Sequence, residues 1–306
     1  MFGVCVMVVT TGTVTHMTKL DDNAVAVFMT ERLPVRLSPS RASDYLQCPK
    51  MFYYKTLLHL SSPNTVATTT GTLAHHAFEK IFDLPRGERT PELAVPHVRE
   101  HWEEIVETAA YSTLAKEIGP EAVEAMLKRA EKHVVDYFDI ERVNNFDPAG
   151  RELHISANVG DIEVHGYIDR LDVVGDADRH IISDYKTGKV PQPRYRDKAF
   201  FAMNVYSLVY SLQHDVVPTD LRLVYTVNGS RDDVLRQEVN TATINKTRKK
   251  VEAIWTGIKT SAARGEFKPS ESVLCGWCQF EPICPAKNPD GAGIAVLDRD
   301  GIECPR

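Results

Sequence analysis

The reading of this chain turns on Gly166 to Gly188, GYIDRLDVVGDADRHIISDYKTG. Two apolar, β-branched runs, Tyr167 to Val174 and Arg179 to Lys186, flank Gly175-Asp176-Ala177-Asp178, whose glycine and aspartates favour a tight reversal. The pattern predicts a β-hairpin. If Val174 and Arg179 close the turn, paired positions sum to 353 and Asp169 falls opposite Asp184. Lys186, two residues past Asp184, projects from the same face. Opposed carboxylates repel across a ladder, so a purely structural hairpin gains nothing from this pair. A divalent cation between them reverses the sign, because hard ions such as Mg²⁺ take one or two carboxylates together with water and phosphate oxygens.

Around this hairpin lies a chain of 306 residues, 43% hydrophobic and 25% charged, a globular composition with length for one large domain or two smaller ones. No apolar run approaches the roughly 18 residues of a membrane span. The apolar start, Met1 to Val9, lacks a basic leader and a small-residue cleavage site, so a cytoplasmic location and no membrane partner are expected. The net charge of -6 argues mildly against a protein coated in nucleic acid, although one groove can differ from the whole. No Gly-x4-Gly-Lys-Ser/Thr loop is present, so the chain is not itself a nucleotide-driven helicase.

Residues 1–35 form an extension without a strong pattern beyond β-like runs such as Ala24 to Met29. Ser38 to Leu46 reads as a short capped helix that delivers Cys48 to a fixed place, with Phe52-Tyr53-Tyr54 behind it as core rather than a base-stacking surface. Thr65 to Thr70 reads as a linker, and a helix begins at Gly71 with Leu73, Ala77, Phe78 and Ile81 as its apolar stripe. His75 lies at the border of that stripe, with His76 as its rival for any ligand role. Residues 91–145 form a helical subdomain broken at Gly119-Pro120, and Arg151 to Val159 returns to strand. After the hairpin, Lys186, Lys189, Arg194, Arg196 and Lys198 set five positive charges against Asp197 alone, a cluster that suits a phosphate backbone or a solvated loop. A buried helix follows over Ala199 to Leu212, then a second hairpin about Asn228-Gly229 and a long helix over residues 243–263. The tail, 286–306, is expected to be flexible, with Cys304 an uninvolved thiol.

Two constellations carry chemistry. His75, Asp169 and Asp184 supply an imidazole and two carboxylates for Mg²⁺ or Mn²⁺, and the backbone carbonyl of Tyr185 adds a further oxygen. Such an ion polarises a phosphoryl oxygen and acidifies bound water, while Lys186 orients that water and offsets transition-state charge. These are the parts of phosphodiester hydrolysis. In the second set, Cys275, Cys278 and Cys284 offer three thiolates at C-x2-C-x5-C spacing, and a fourth ligand must come from elsewhere to complete a four-cysteine site. Zinc and iron-sulfur clusters both use such sites.

Asp169 followed by Asp184-Tyr185-Lys186 resembles the PD-(D/E)XK nuclease superfamily. Gly71-x-x-x-His75, Gly166-Tyr167-Ile168-Asp169-Arg170 and Asp184-Tyr185-Lys186-Thr187-Gly188 are similar to its RecB-type branch. The resemblance covers about Ser38 to Pro285. It implies a restriction-endonuclease-like α/β core, a central mixed β-sheet flanked by helices, over residues 36–285. It further implies His75, Asp169 and Asp184 as metal ligands, Lys186 as catalytic lysine, and Cys48 as fourth ligand of a [4Fe-4S] cluster joining the N- and C-terminal parts. Structural Zn²⁺ is the alternative. Also implied is exonuclease action on DNA, single-stranded for preference, beside helicase, recombination or CRISPR adaptation partners. The branch commonly carries Gln-x-x-x-Tyr on the next helix. Tyr206 matches its tyrosine, but Ala202 stands where the glutamine is expected.

Overall fold

The computed structural model describes residues 5–10, 13–19, 22–60, 62–175 and 179–288, the first of these up to residue 22 as backbone only. Asp176, Ala177 and Asp178 of the hairpin turn, and the tail from Pro289 onward with Cys304, lie outside the described residues. In chain order the elements are β1 (Cys5–Thr10), β2 (Thr13–Lys19), α1 (Asp22–Glu31), β3 (Arg36–Leu37), α2 (Pro39–Gln47), α3 (Pro49–Phe52) and α4 (Val66–Lys80). Then come α5 (Pro91–Ala94), α6 (Pro96–Ile105), α7 (Ala109–Ile140), β4 (Gly150–Val159), β5 (Ile162–Val174) and β6 (Arg179–Lys186). The last are α8 (Arg196–Ala199), α9 (Phe201–His214), β7 (Asp220–Tyr225), β8 (Val234–Glu238) and α10 (Thr241–Ala263). They group into two compact units, one of residues 1–62, 159–164 and 249–306, the other of residues 63–158 and 165–248.

The larger unit is built on the hairpin. β5 and β6 are antiparallel with Val174 opposite Arg179 and Arg170 opposite Ser183, the register read from the turn. β6 then pairs in parallel with β7, and β7 antiparallel with β8 about the Asn228-Gly229 turn, where Gly229 takes a φ of 62°. β4 pairs with β5. The result is a mixed sheet, with α9 packed on β6 and β7. α4, α5, α6 and α7 close a core of Leu73, Ala77, Phe78, Trp102, Met126, Val134 and Tyr137 around Tyr185 and Val224 of the sheet. Gly119 breaks the long helix at a φ of 78°, just ahead of Pro120, which has no N–H for a helix interior and disfavours a helical residue before it.

Two readings change. The threonine-rich stretch is not a linker but the opening of α4: the Thr65 hydroxyl accepts from Thr68 N at 3.1 Å, Thr68 Oγ1 accepts from Thr65 N at 2.9 Å, and the helix starts five residues before Gly71. A reciprocal cap of this kind outweighs the modest helix cost of threonine. The run Ala24 to Met29 is helix rather than strand, and Val25, Phe28 and Met29 form its buried stripe at helical spacing.

Within the smaller unit, β3 runs parallel to the start of β5, Arg36 beside Glu163 and Leu37 beside Val164. Ser38 caps α2 through its hydroxyl, which accepts from Arg41 N at 3.3 Å, and the helix ends at Cys48. The aromatic trio is core: Phe52 and Tyr53 stack on Phe267 with ring centroids 5.9 and 5.7 Å apart.

Candidate active site and cysteine module

β6 carries Asp184 and Lys186 on one face, and the Lys186 ammonium sits 2.5 Å from Asp184 Oδ2. Asp169 stands on β5 just before the last pair of the ladder, and its Oδ2 accepts a hydrogen bond from Tyr185 N at 2.8 Å. α4 brings in His75, whose Nε2 lies 3.0 Å from the Tyr185 carbonyl oxygen. A carbonyl only accepts, so Nε2 bears the proton. Nδ1 is then a bare lone pair, and it faces Asp169 Oδ2 at 3.4 Å. Two acceptors facing each other call for a cation between them, a proton or a metal ion.

The electrostatics agree. Burial pulls the His75 imidazole down from its usual range, outweighing the help of Asp184, so it stays neutral, the form a metal ligand needs. Burial, then the Asp184 charge, pushes the Asp169 carboxyl well above the carboxylate range. For Lys186, burial works downward but the adjacent Asp184 and Asp169 win, and its pKa rises. Lys186 is thus held as a positive charge rather than a base. The donor set of one imidazole, two carboxylates and a carbonyl fits Mg²⁺ or Mn²⁺.

Behind the site is a residue whose role the sequence reading missed. Arg170 is fully buried, and its guanidinium donates to Tyr137 Oη at 2.7 Å, Tyr185 Oη at 3.0 Å, Glu141 Oε1 at 3.0 Å and Asp172 Oδ2 at 3.1 Å. Tyr185 is therefore pinned by its ring, and its backbone N–H and carbonyl, which meet Asp169 and His75, are pinned with it. The second missed residue is Glu152 on β4, at an unusual φ of 42° for a residue with a side chain. One donor atom each from His75, Glu152 and Asp169 lie within 4.8 Å of one another. These three line a cavity of about 550 Å³ together with Glu79, His76 and His101. His76, the rival to His75, instead stacks on His101 with centroids 3.9 Å apart, and with Glu104 forms a second such triad.

Tyr206 of α9 reaches the same strand. A Cβ on Gly166 would fall 2.5 Å from Tyr206 Cε1, so only glycine lets the ring approach. Gly166→Ala is expected to cost about 1–3 kcal/mol through overpacking. Thermal unfolding checks it: the Gly166→Ala penalty should shrink in a Tyr206→Ala background, and equal penalties in both backgrounds would refute the contact. Ala202, one turn earlier, is half-buried and offers no polar group.

In the smaller unit Cys48, Cys275, Cys278 and Cys284 line one small cavity of about 40 Å³, all four as free thiols. Ser270 N donates to Cys48 Sγ and Ser272 N to Cys275 Sγ, each at 3.4 Å. Burial pushes the Cys278 thiol up, and Cys48, Cys284 and Cys275 add to the effect. Four cysteines on one cavity are a donor set that fits a metal-thiolate centre. Tyr54 Oη ties the module down by donating to the Ile283 carbonyl at 2.8 Å.

A mixed sheet whose central hairpin presents an acid, then Asp-x-Lys, beside a helical histidine is the arrangement of a phosphodiester-hydrolysing nuclease. The chain belongs to the PD-(D/E)XK nuclease superfamily, whose profile matches residues 36–285. No curated protein matches it. Among solved structures it is similar to a Eubacterium rectale protein that carries a provisional exonuclease description, at 12% identity and a TM-score of 0.49, over 86% of this chain and 93% of that one. No helix among the described residues is long and apolar enough to cross a membrane.

Proposed function

We propose that this nuclease is an exonuclease of single-stranded DNA, dependent on Mg²⁺ or Mn²⁺ and braced by a [4Fe-4S] cluster on Cys48, Cys275, Cys278 and Cys284, working in recombination, repair or CRISPR adaptation. The observation that carries the catalytic reading is the convergence of His75, Asp169, Asp184, Lys186 and the Tyr185 peptide on one end of the hairpin. Bound there, the ion supplies Lewis acidity and an acidified water. The chain's own part is positional: His75, Asp169, Asp184 and the Tyr185 carbonyl would hold the ion, Arg170 holds Tyr185, and Lys186 sets a positive charge where the scissile phosphate gains negative charge.

The single-strand reading rests on the segment after β6. Lys189, Arg194, Arg196 and Lys198 are all exposed. Among them Tyr195 is half exposed, with the Arg194 guanidinium 4.8 Å from its ring centroid. An aromatic face interleaved with cations suits unpaired bases and their phosphates, since stacking is worth roughly 1–3 kcal/mol per base. The cluster reading rests on the cysteine cavity. Among the described residues, the groups whose donor atoms crowd within 4.8 Å are histidine–carboxylate triads, and the cysteines are not among them. A tetrahedral zinc with Zn–S of about 2.3 Å needs closer sulfurs than a cubane does.

Strands labelled at the 5′ or 3′ end, and a circular single strand, test the activity and its mode together. With Mg²⁺ the linear strands should be degraded from an end while the circle survives, and a chelator should stop the reaction. Cleavage of the circle would refute exonuclease action. No metal-dependent cleavage of any strand would leave a DNA-binding scaffold, the reading that Ala202 in the glutamine position favours.

A further inference from the structure

α4 carries a second histidine beside the first, and phosphodiester hydrolysis leaves it unused. A helix turns by about 100° per residue, so the two imidazoles leave α4 in different directions. His75 faces the Tyr185 carbonyl, whereas His76 faces α6, where its ring stacks on His101 with centroids 3.9 Å apart and planes 7° from parallel. α6 reads His97-Val98-Arg99-Glu100 and then His101-Trp102-Glu103-Glu104, the same histidine–glutamate spacing twice. Each pair closes on itself: His97 Nδ1 lies 2.8 Å from Glu100 Oε2, and His101 Nδ1 lies 2.9 Å from Glu104 Oε2. Alone, such a pair is an ordinary feature of a solvated helix face. Among the described residues, the second pair alone is joined by another imidazole.

Those three side chains converge. One donor atom each from His76, His101 and Glu104 lie within 4.8 Å of one another. Two donors on a tetrahedral ion with bonds of about 2.1 Å stand roughly 3.4 Å apart, so the stacked rings and the acid–imidazole contact need only small shifts to share one ion. The donor set also differs in kind from that of the hairpin. Two imidazoles and one carboxylate suit Zn²⁺, which takes such a set with water in its fourth position, whereas the oxygen-rich hairpin suits Mg²⁺ or Mn²⁺. His76 and His101 line the cavity of about 550 Å³, which admits that water. Core packing does not account for the arrangement, since both histidines are half-buried and Glu104 is exposed.

We propose that His76, His101 and Glu104 hold one Zn²⁺ between α4 and α6, a site built from other residues than those of the hairpin and the cysteine module. Such an ion ties the helix that delivers His75 to the helix packed on it. The site stands without the nuclease reading, and its test counts ions rather than cleavage. Zn²⁺ is titrated into the full-length protein against a chromophoric chelator. The hairpin and the cysteines also take zinc, so the readout is the difference between variants. The wild type should bind one zinc per chain more than His101→Asn, and that difference should persist when both carry Asp184→Asn. His97→Asn, which breaks the pair without a second imidazole, should bind as the wild type does. Zinc at about 100 times its dissociation constant should raise the unfolding temperature of the wild type by about 5 °C more than that of His101→Asn. Glu104→Gln covers the case of a histidine variant that fails to fold: its side chain is exposed, so its zinc-free unfolding temperature should match the wild type while its zinc affinity falls by about tenfold or more. Equal zinc counts in the wild type and a folded His101→Asn, a difference that vanishes in the Asp184→Asn background, or unaltered affinity in Glu104→Gln overturns the proposal.

Discussion

Asp184→Asn and Lys186→Met are each expected to lower metal-dependent cleavage of single-stranded DNA by about 10³-fold, equivalent to about 4 kcal/mol of transition-state stabilisation. For Asp184 the loss is of an ion ligand. For Lys186 it is of the charge that meets the phosphate. The two variants should behave differently when the protein is simply unfolded. Asp184→Asn removes the charge that, after burial, does most to raise the Asp169 carboxyl, and the Lys186 ammonium it leaves behind is exposed enough to reach water, so the fold should be about as stable as the wild type. Lys186→Met leaves the Asp184 carboxylate largely buried without its 2.5 Å partner, and stability should fall. Activity lost in a protein that melts no earlier is the signature of a site that trades stability for chemistry. Cleavage within tenfold of wild type in both variants would sink the assignment of catalysis to this hairpin.

The hairpin was legible in the sequence because its information is local. Glycine and aspartate mark the turn, β-branched residues mark the strands, and a period of two fixes which side chains share a face. The register from Val174 opposite Arg179 to Arg170 opposite Ser183 follows from the turn alone. The start of α4 was not legible, because threonine has low helix propensity and the reciprocal cap between Thr65 and Thr68 shows only in three dimensions. α1 was missed because a short apolar run looks alike as strand or buried helix, and here the stripe of Val25, Phe28 and Met29 decides.

The same division runs through the site. Asp169, Asp184 and Lys186 share one supersecondary unit and announce themselves by spacing. Glu152 sits 17 positions before Asp169, on another strand and at a backbone angle no sequence pattern predicts. Arg170 was visible as a residue but not as a device. Nothing in its spacing says that the guanidinium next to Asp169 in sequence grips Tyr137, Glu141 and Tyr185. Such a buried network contributes conformational specificity more than net stability, since desolvation consumes most of its Coulombic gain. Its consequence here is a Tyr185 peptide held where His75 and Asp169 both need it.

The cysteine module gives the other large expected effect. Protein prepared without oxygen should be brown, carry four irons per chain and lose both colour and iron in Cys278→Ala, while Cys304→Ser keeps them. The choice of Cys278 follows from its surroundings, since its thiol is pushed up by burial and by Cys48, Cys284 and Cys275, so it gains most from a metal that takes its charge. The cavity around these sulfurs is closed by residues far apart in sequence: Cys48 at the end of α2, and Cys275 to Cys284 past α10. Without the cluster, Tyr54 packed on Phe280 and its hydrogen bond to Ile283 remain to hold the two segments together. A loss of about 3–5 kcal/mol, in the range of removing a native cross-link, then lowers the unfolding temperature by roughly 10 °C. Stoichiometric zinc without iron in the anaerobic wild type would replace the cluster with a structural zinc site. Four irons retained in Cys278→Ala would remove that cysteine from the ligand set altogether.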